Sequence, residues 1–412
     1  MDHGDVAWIL TSSALVLIMT PGLAFFYGGL VKRKNIINTI LSSIILMGLG
    51  SILWVLIGFS LSFSGDVGGI IGNFQWLGLN NFGAEPGPWL PNVPNLVFAI
   101  FQMMFAIITP AVICGAVVER MRFTALAVFV TVWSIVVYYP LAHMVWGGGL
   151  ISQLGAVDFA GGYVVEINSG VSALVAAIVV GTRKHHGKIT YHPHNIPYVF
   201  LGAAILWFGW FGFNAGSAGG ANLLAAHAFM TTNTSCAAAL LTWMFIEKAH
   251  NNRPTLVGAS TGIVIGLVAI TPGAGFVPIW ASIIIGACAS GICYLFITIV
   301  KPKLRHDDSL DVFICHGISG IWGCIATGIF ALTSINGVAK WNGLAFGETA
   351  LFVRQIAAVG ITIVVSVAGT LVALGAAKLV TGKLRVPVST EDIGLDIAEH
   401  GENAYPSYLG LD

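Results

Sequence analysis

Charge is what this chain is short of. Only 9% of its 412 residues are Asp, Glu, Lys or Arg, against about 25% in ordinary soluble domains. Eighteen cationic and eighteen acidic side chains cannot cover the surface of a soluble body of this size, which excludes that class. The formal net charge is zero, so nothing favours nucleic acid as a partner. The six cysteines (Cys114, Cys236, Cys288, Cys293, Cys315 and Cys324) show no CxxC or zinc-type spacing and lie in apolar runs. They are expected as buried free thiols rather than disulfides. No HExxH or comparable cluster occurs, which argues against a metalloenzyme, and no cofactor is expected. A basic segment before the first apolar run is also missing, and that run is too long for a signal-peptide core, so no cleavable leader is expected.

What is present points to lipid as the main solvent. The composition is 56% hydrophobic and mean hydropathy is +0.87. The 51 glycines sit inside Leu/Ile/Val/Phe runs, where small residues let membrane helices approach closely. Apolar windows long enough to span a bilayer fall near 6–31, 36–63, 94–118, 123–145, 159–182, 197–218, 227–247, 255–275, 278–300, 309–334 and 349–378. The expected fold is therefore an all-α integral membrane protein of eleven transmembrane helices. Sixteen of the eighteen Lys and Arg residues follow odd-numbered spans, and only Lys340 and Arg354 do not. By the positive-inside rule this puts the N-terminus outside and the C-terminus inside. The outer loop 64–93 holds no Lys or Arg but carries Trp76 and Trp89, expected near the membrane interface. A membrane domain over 1–385 and a polar cytoplasmic tail over 386–412 complete the expected organisation. The loop histidines His185, His186, His192, His194, His250 and His306 are expected as solvated surface groups, and neither His143 nor His227 acquires a role.

A short internal repeat directs attention to the centre. Asp158, Glu166 and Gly170 recur at an offset of 150 as Asp308, His316 and Gly320. The two segments enter from opposite faces, as inverted repeats do. Eight residues of helix rise about 12 Å, nearly half of a hydrocarbon core about 30 Å thick. Glu166 and His316 would then meet near the midplane, where ionisable groups mark substrate or proton paths; a structural hydrogen bond joining two helices is the alternative. Asp158 is equally a candidate for a helix cap, and Asp308 and Asp311 are expected as caps or interfacial residues rather than transport groups.

Seven ordered segments carry a wider resemblance: PGLAFFYGGLVKRKN at 21–35, FQMMFAIITPAVICGAVVER at 101–120, HMVWGGGL at 143–150, DFAGGYVVEINSG at 158–170, LWFGWFGFNAGSA at 206–218, DVFICHGISGIWG at 311–323 and GLDIAEHGENAY at 394–405. Through them the chain resembles the ammonium transporter family (Amt/Mep/Rh), on its prokaryotic Amt side. The resemblance implies a homotrimer in the cell membrane, one pore per subunit built on an inverted five-helix repeat, and transport of ammonium, with methylammonium as a possible second substrate. It implies that Trp146 and Ser217, with Phe101, hold the cation at an outer site and that Asp158 supports that site. Phe105 and Phe213 match a stacked phenyl gate, and Trp210 a pore-wall tryptophan. Read without the resemblance, Trp146 is an interfacial belt residue, Ser217 a packing residue and the phenylalanines core. Family members usually pair two histidines in the pore; here the pair is Glu166 and His316, as in some fungal members. The tail resembles one that couples subunits and faces P-II-class regulators. The implied activity is recruitment of NH4+, its deprotonation, and passage of NH3 with the proton relayed by Glu166 and His316. A passive NH3 or CO2 gas channel and an ammonium sensor on the same fold are the rival readings.

Overall fold

The computed structural model describes residues 1–405 apart from 81, 84, 190 and 305. Arg305, one of the cations used to orient the spans, and the last seven residues of the tail lie outside the described residues. Among the described residues the long helices are α1 (His3–Leu30), α2 (Arg33–Phe63), α3 (Asn95–Cys114), α4 (Phe123–Leu154, broken at 147–149), α5 (Gly162–Val180), α6 (Ile196–Ala215), α7 (Leu223–Asn251), α8 (Leu256–Ile270), α9 (Ile279–Lys303), α10 (Phe313–Phe330) and α11 (Ala350–Thr381). Nine of them are long and apolar enough to cross a membrane. The other two, α7 and α8, pack on α9 and on each other. α7 is 29 residues long but interrupts its apolar sequence with Thr231–Ser235 and Glu247. α8 is the shorter, at 15 residues.

Local chemistry sets the helix ends. The run 255–275 stops being helical at Ile270 because Pro272 and Gly273 follow; proline removes a donor and clashes with the preceding turn. The freed Pro272 carbonyl accepts from the Phe159 N–H, so the broken segment receives the start of α5. α5 and α10 begin later than their apolar runs. Gly161 takes φ +136° and Asp311 φ +58° just before them, and both helices are short, at 19 and 18 residues.

Loop 64–93 carries local structure that the sequence reading did not describe. Asp66–Val67 and Ile71–Gly72 pair as a small antiparallel hairpin. Trp76 and Trp89 pack with Phe59, Phe63, Phe82 and Phe98, with Trp89 stacked on Phe98 at 5.2 Å. The hairpin is tied to α4 by His143, which is wholly buried. Its Nε2 meets Asp66 Oδ1 at 2.9 Å and its Nδ1 meets the Ser62 carbonyl at 3.1 Å. All six cysteines are free, and only Cys288 is exposed.

Residues 386–405 pack against the opposite face. A short helix α12 (Val388–Ile393) brings Glu391 to the Lys184 N–H at 3.0 Å and to Arg385 at 2.7 Å. Beyond it, Asp396 accepts from the Asn38 N–H at 2.9 Å, Glu399 from the Phe123 N–H at 3.1 Å, and Leu395 donates to Asn35 at 2.8 Å. His194, expected as a free surface group, bonds the Tyr405 hydroxyl and the Val31 carbonyl.

Candidate functional site

The two repeat segments start their helices with the same device. Asp158 Oδ1 accepts from the N–H groups of Gly161 and Gly162 at 2.8 and 2.7 Å, and Oδ2 from Tyr163 at 2.7 Å. Asp308 Oδ2 accepts from Phe313 N–H at 2.7 Å. Both carboxylates thus satisfy helix-start donors five residues on, the capping alternative raised by the sequence. Each helix then opens with a widened i→i+5 turn, Gly162–Ile167 in α5 and Phe313–Ile318 in α10. Such turns are rare and gather at functional sites.

Glu166 and His316 sit on those two turns. His316 Nδ1 lies 2.8 Å from Glu166 Oε2, and the residues are 4% and 1% exposed. Glycine makes the meeting possible. A Cβ on Gly170 would fall on the backbone of Gly317, and one on Gly320 would stand 2.8 Å from Glu166 Cβ. Glu166 Oε1 is buried and has no hydrogen-bond partner among the described residues. A buried polar atom left so costs about 1–3 kcal/mol, and such atoms need an explanation.

On the face that carries the N-terminus, a cavity of about 330 Å³ is lined by Phe101, Gln102, Phe105, Trp146, Asp158 and Ser217, together with loop residues. The Trp146 indole N–H donates to the Asp158 carbonyl at 3.2 Å, and the Ser217 hydroxyl donates to the Phe213 carbonyl at 2.8 Å. With its proton committed, Ser217 offers lone pairs to the cavity. Phe101 and Phe105 meet edge to face at 5.0 Å, and Phe105 reaches Trp146 at 6.0 Å. At the floor, Phe105 and Phe213 stand 4.5 Å apart with their rings inclined by 51°. Trp210 packs on Phe213 at 5.1 Å, its N–H held by Thr271 at 2.9 Å. The sequence candidates therefore fall into two groups: Phe101, Phe105, Trp146, Asp158 and Ser217 around the cavity with Phe213 and Trp210 packed on Phe105 and on each other, and Glu166 with His316 buried as a separate bonded pair.

A second cavity, of about 490 Å³, opens on the opposite face and reaches Cys315, the neighbour of His316. Its rim holds a buried ion cluster absent from the sequence reading. Arg183 bonds Asp307 at 2.8 Å and Glu119 at 2.9 Å. Burial pushes the Asp307 carboxyl up, but its hydrogen bonds and charge attraction to Arg183 win and hold it well below the usual carboxylate range. The sequence reading also passed over Gln102, whose only signal was an amide inside an apolar helix, and His143, which stands three residues before Trp146.

The Ammonium Transporter Family model matches residues 7–405. An ammonium transporter of Bacillus subtilis is 47% identical, over 98% of this chain and 99% of the relative. One from Aquifex aeolicus is 48% identical, over 98% and 94%. Among solved structures, Candida albicans Mep2 superposes with a TM-score of 0.90 at 33% identity, over 98% of this chain and 91% of that one.

Proposed function

Because this chain belongs to the ammonium transporter family, we propose that it carries ammonium through its own bundle by separating the cation into NH3 and a proton. All eleven helices span the membrane in this reading, α8 doing so together with the turns after Ile270. The N-terminus is outside, and the cationic face, with the tail from 386, is cytoplasmic. The membrane is the cell membrane, the assembly a homotrimer, and residues 386–412 form a regulatory tail open to a P-II-class protein.

The observation that carries the mechanism is the buried Glu166–His316 pair at 2.8 Å with one carboxylate oxygen unpartnered. Ammonium rests in the outer cavity against the Ser217 lone pairs and the faces of Phe101 and Trp146. Ring quadrupoles and oxygen acceptors both suit a cation with four N–H donors. The Asp158 carboxylate, occupied as a cap, adds negative potential at longer range. Phe105 and Phe213 gate the way down, past Trp210. One N–H bond of ammonium breaks and its proton passes to Glu166, leaving NH3. The proton continues through His316, whose Nε2 makes no hydrogen bond with a described residue. Neutral NH3 crosses the apolar lumen at little cost, whereas a potassium ion, which has no proton to shed, meets the full penalty of leaving water. Methylammonium retains three N–H donors and suits the same chemistry.

The two buried groups interact strongly and act as one coupled unit. Glu166→Gln keeps shape and hydrogen bonding but removes the carboxylate. In proteoliposomes under an ammonium gradient, the wild type gives a current and the Gln variant none, while uncharged NH3 leak persists in both. A normal ammonium current through the Gln variant would return Glu166 to a structural tie. A wild-type protein that moves NH3 without current would instead be a passive gas channel.

A further inference from the structure

Lys32, Arg33 and Lys34 stand side by side where α1 turns into α2. Among the described residues none of the three pairs with a carboxylate, and their contacts are neutral. The Lys32 ammonium lies 4.5 Å from the centre of the Tyr191 ring. Arg33 donates to the Tyr405 carbonyl at 3.2 Å and covers the Tyr405 ring at 5.0 Å. Lys34 donates to the Asp392 carbonyl. The nearby carboxylates are engaged elsewhere: Asp392 with Lys184 and His185, and Glu119 with Arg183. Three adjacent cations without a counter-ion repel one another.

The same three residues line a cavity of about 420 Å³ whose other wall is Asn403 and Tyr405, from the tail. That wall is fixed in place. The Tyr405 hydroxyl meets His194 Nε2 at 3.2 Å, and His194 Nδ1 meets the Val31 carbonyl at 2.9 Å. The Tyr405 N–H donates to Asn403 Oδ1 at 3.2 Å. The side-chain groups still free to bond in the cavity are therefore donors: the Lys32 ammonium, most of the Arg33 fork, the rest of the Lys34 ammonium and the Asn403 amide nitrogen. No carboxylate lines the cavity.

We propose that this pocket binds a phosphate group. The Arg33 fork matches two phosphate oxygens, and the flanking lysines supply point charges for the others. One phosphate can come from either of two sources. The pocket follows the last turn of α1, where an anionic phospholipid headgroup reaches juxtamembrane cations; a free phosphate reaches it from water. Because one wall is the α1–α2 turn and the other is the tail, a bound phosphate ties residues 403–405 to the bundle. The proposal is independent of the transport mechanism above.

The test titrates full-length protein in an uncharged detergent, by calorimetry, with short-chain phosphatidylglycerol, short-chain phosphatidylcholine and inorganic phosphate. Phosphatidylglycerol, phosphate or both should bind saturably, more weakly as salt rises, and about tenfold or more tighter than phosphatidylcholine. Phosphatidylglycerol alone identifies a lipid headgroup as the source; inorganic phosphate at comparable affinity identifies the free anion. Arg33→Gln should raise the dissociation constant about tenfold or more, through loss of charge-assisted hydrogen bonds. Lys378→Gln, which removes a cation outside the pocket, should leave it within about a factor of two. Asn403→Asp places a carboxylate on the exposed tail wall, leaves the bundle untouched, and should weaken binding about tenfold or more; it decides alone if Arg33→Gln fails to assemble. Either variant with the wild-type constant overturns the proposal. So does phosphatidylcholine binding as tightly as phosphatidylglycerol, or no binding of any probe. Binding that appears only once residues 406–412 are removed also overturns it, because the chain then fills the pocket itself.

Discussion

Trp146 shows what a single side chain reveals from sequence and what it conceals. Its position after an apolar run suits an interfacial belt. In the structure its indole N–H is tied back to the Asp158 carbonyl and its ring borders both the cavity and Phe105. Trp146→Leu should therefore raise the half-saturating ammonium concentration about 2- to 30-fold, the equivalent of a cation–π contact worth about 0.5–2 kcal/mol. A concentration dependence equal to wild type would leave it as a wall residue. Glu166 and His316 were legible because ionisable residues are rare in such a composition and stood at matching offsets. Gln102 was not, because an amide carries no charge and apolar helices absorb occasional ones. His143 was hidden for another reason: its partners, Ser62 and Asp66, lie about eighty positions away.

At the level of elements, the sequence announced helices far better than their ends. The 150-residue offset foretold that α5 and α10 would meet, and the mirrored caps of Asp158 and Asp308 extend the match to individual hydrogen bonds. The widened turns that hold Glu166 and His316 had no signal, since both sequences read equally well as ordinary helix. The early end of α8 was signalled by Pro272 but outweighed by hydrophobicity. The small hairpin escaped because strands two residues long leave no periodicity to detect. The tail makes the element-level prediction. Residues 388–405 reach the starts of α2 and α4 and the segment after α5 through Asp396, Glu399 and Glu391. Truncation after Pro387 should lower ammonium current severalfold while size-exclusion chromatography still reports the wild-type assembly. Undiminished current in such an assembly would show that these contacts merely tidy the surface.

For the whole molecule, charge scarcity makes the few buried ions conspicuous. The Glu119–Arg183–Asp307 cluster joins the chain after α3, after α5 and before α10. Lys32 N–H and Asn35, at the start of α2, also donate to Glu119. Glu119 is likewise pushed up by burial but lowered overall by Arg183. Because the folded carboxyls lie below their unfolded values, the cluster contributes fully at neutral pH. It is lost as pH falls through and below the ordinary carboxylate range. Stability of the detergent-solubilised protein, followed by thermal unfolding, should start to drop below about pH 5 and go on falling below about pH 3. Asp307→Asn should cost about 3–5 kcal/mol at pH 7, the penalty of removing one carboxylate from a buried ion pair, and flatten part of that acid dependence, Glu119 remaining on Arg183. An Asn variant as stable as wild type at neutral pH would remove the cluster from the stability account.

The glycine contact between α5 and α10 has one more consequence, which is a matter of reach. With Gly170 against Gly317 and Gly320 against Glu166, the gap between the two chains is set backbone to backbone, and the side chains must bridge a span they cannot adjust. A carboxylate oxygen of Glu166 stands four bonds from its Cα, as far along its arm as the Nε2 of a histidine. Carboxylate and imidazole are therefore interchangeable in length at this position though not in charge, and the helices need not move to accept either. What the fold holds constant here is a distance, and the chemistry at the end of it is free to vary.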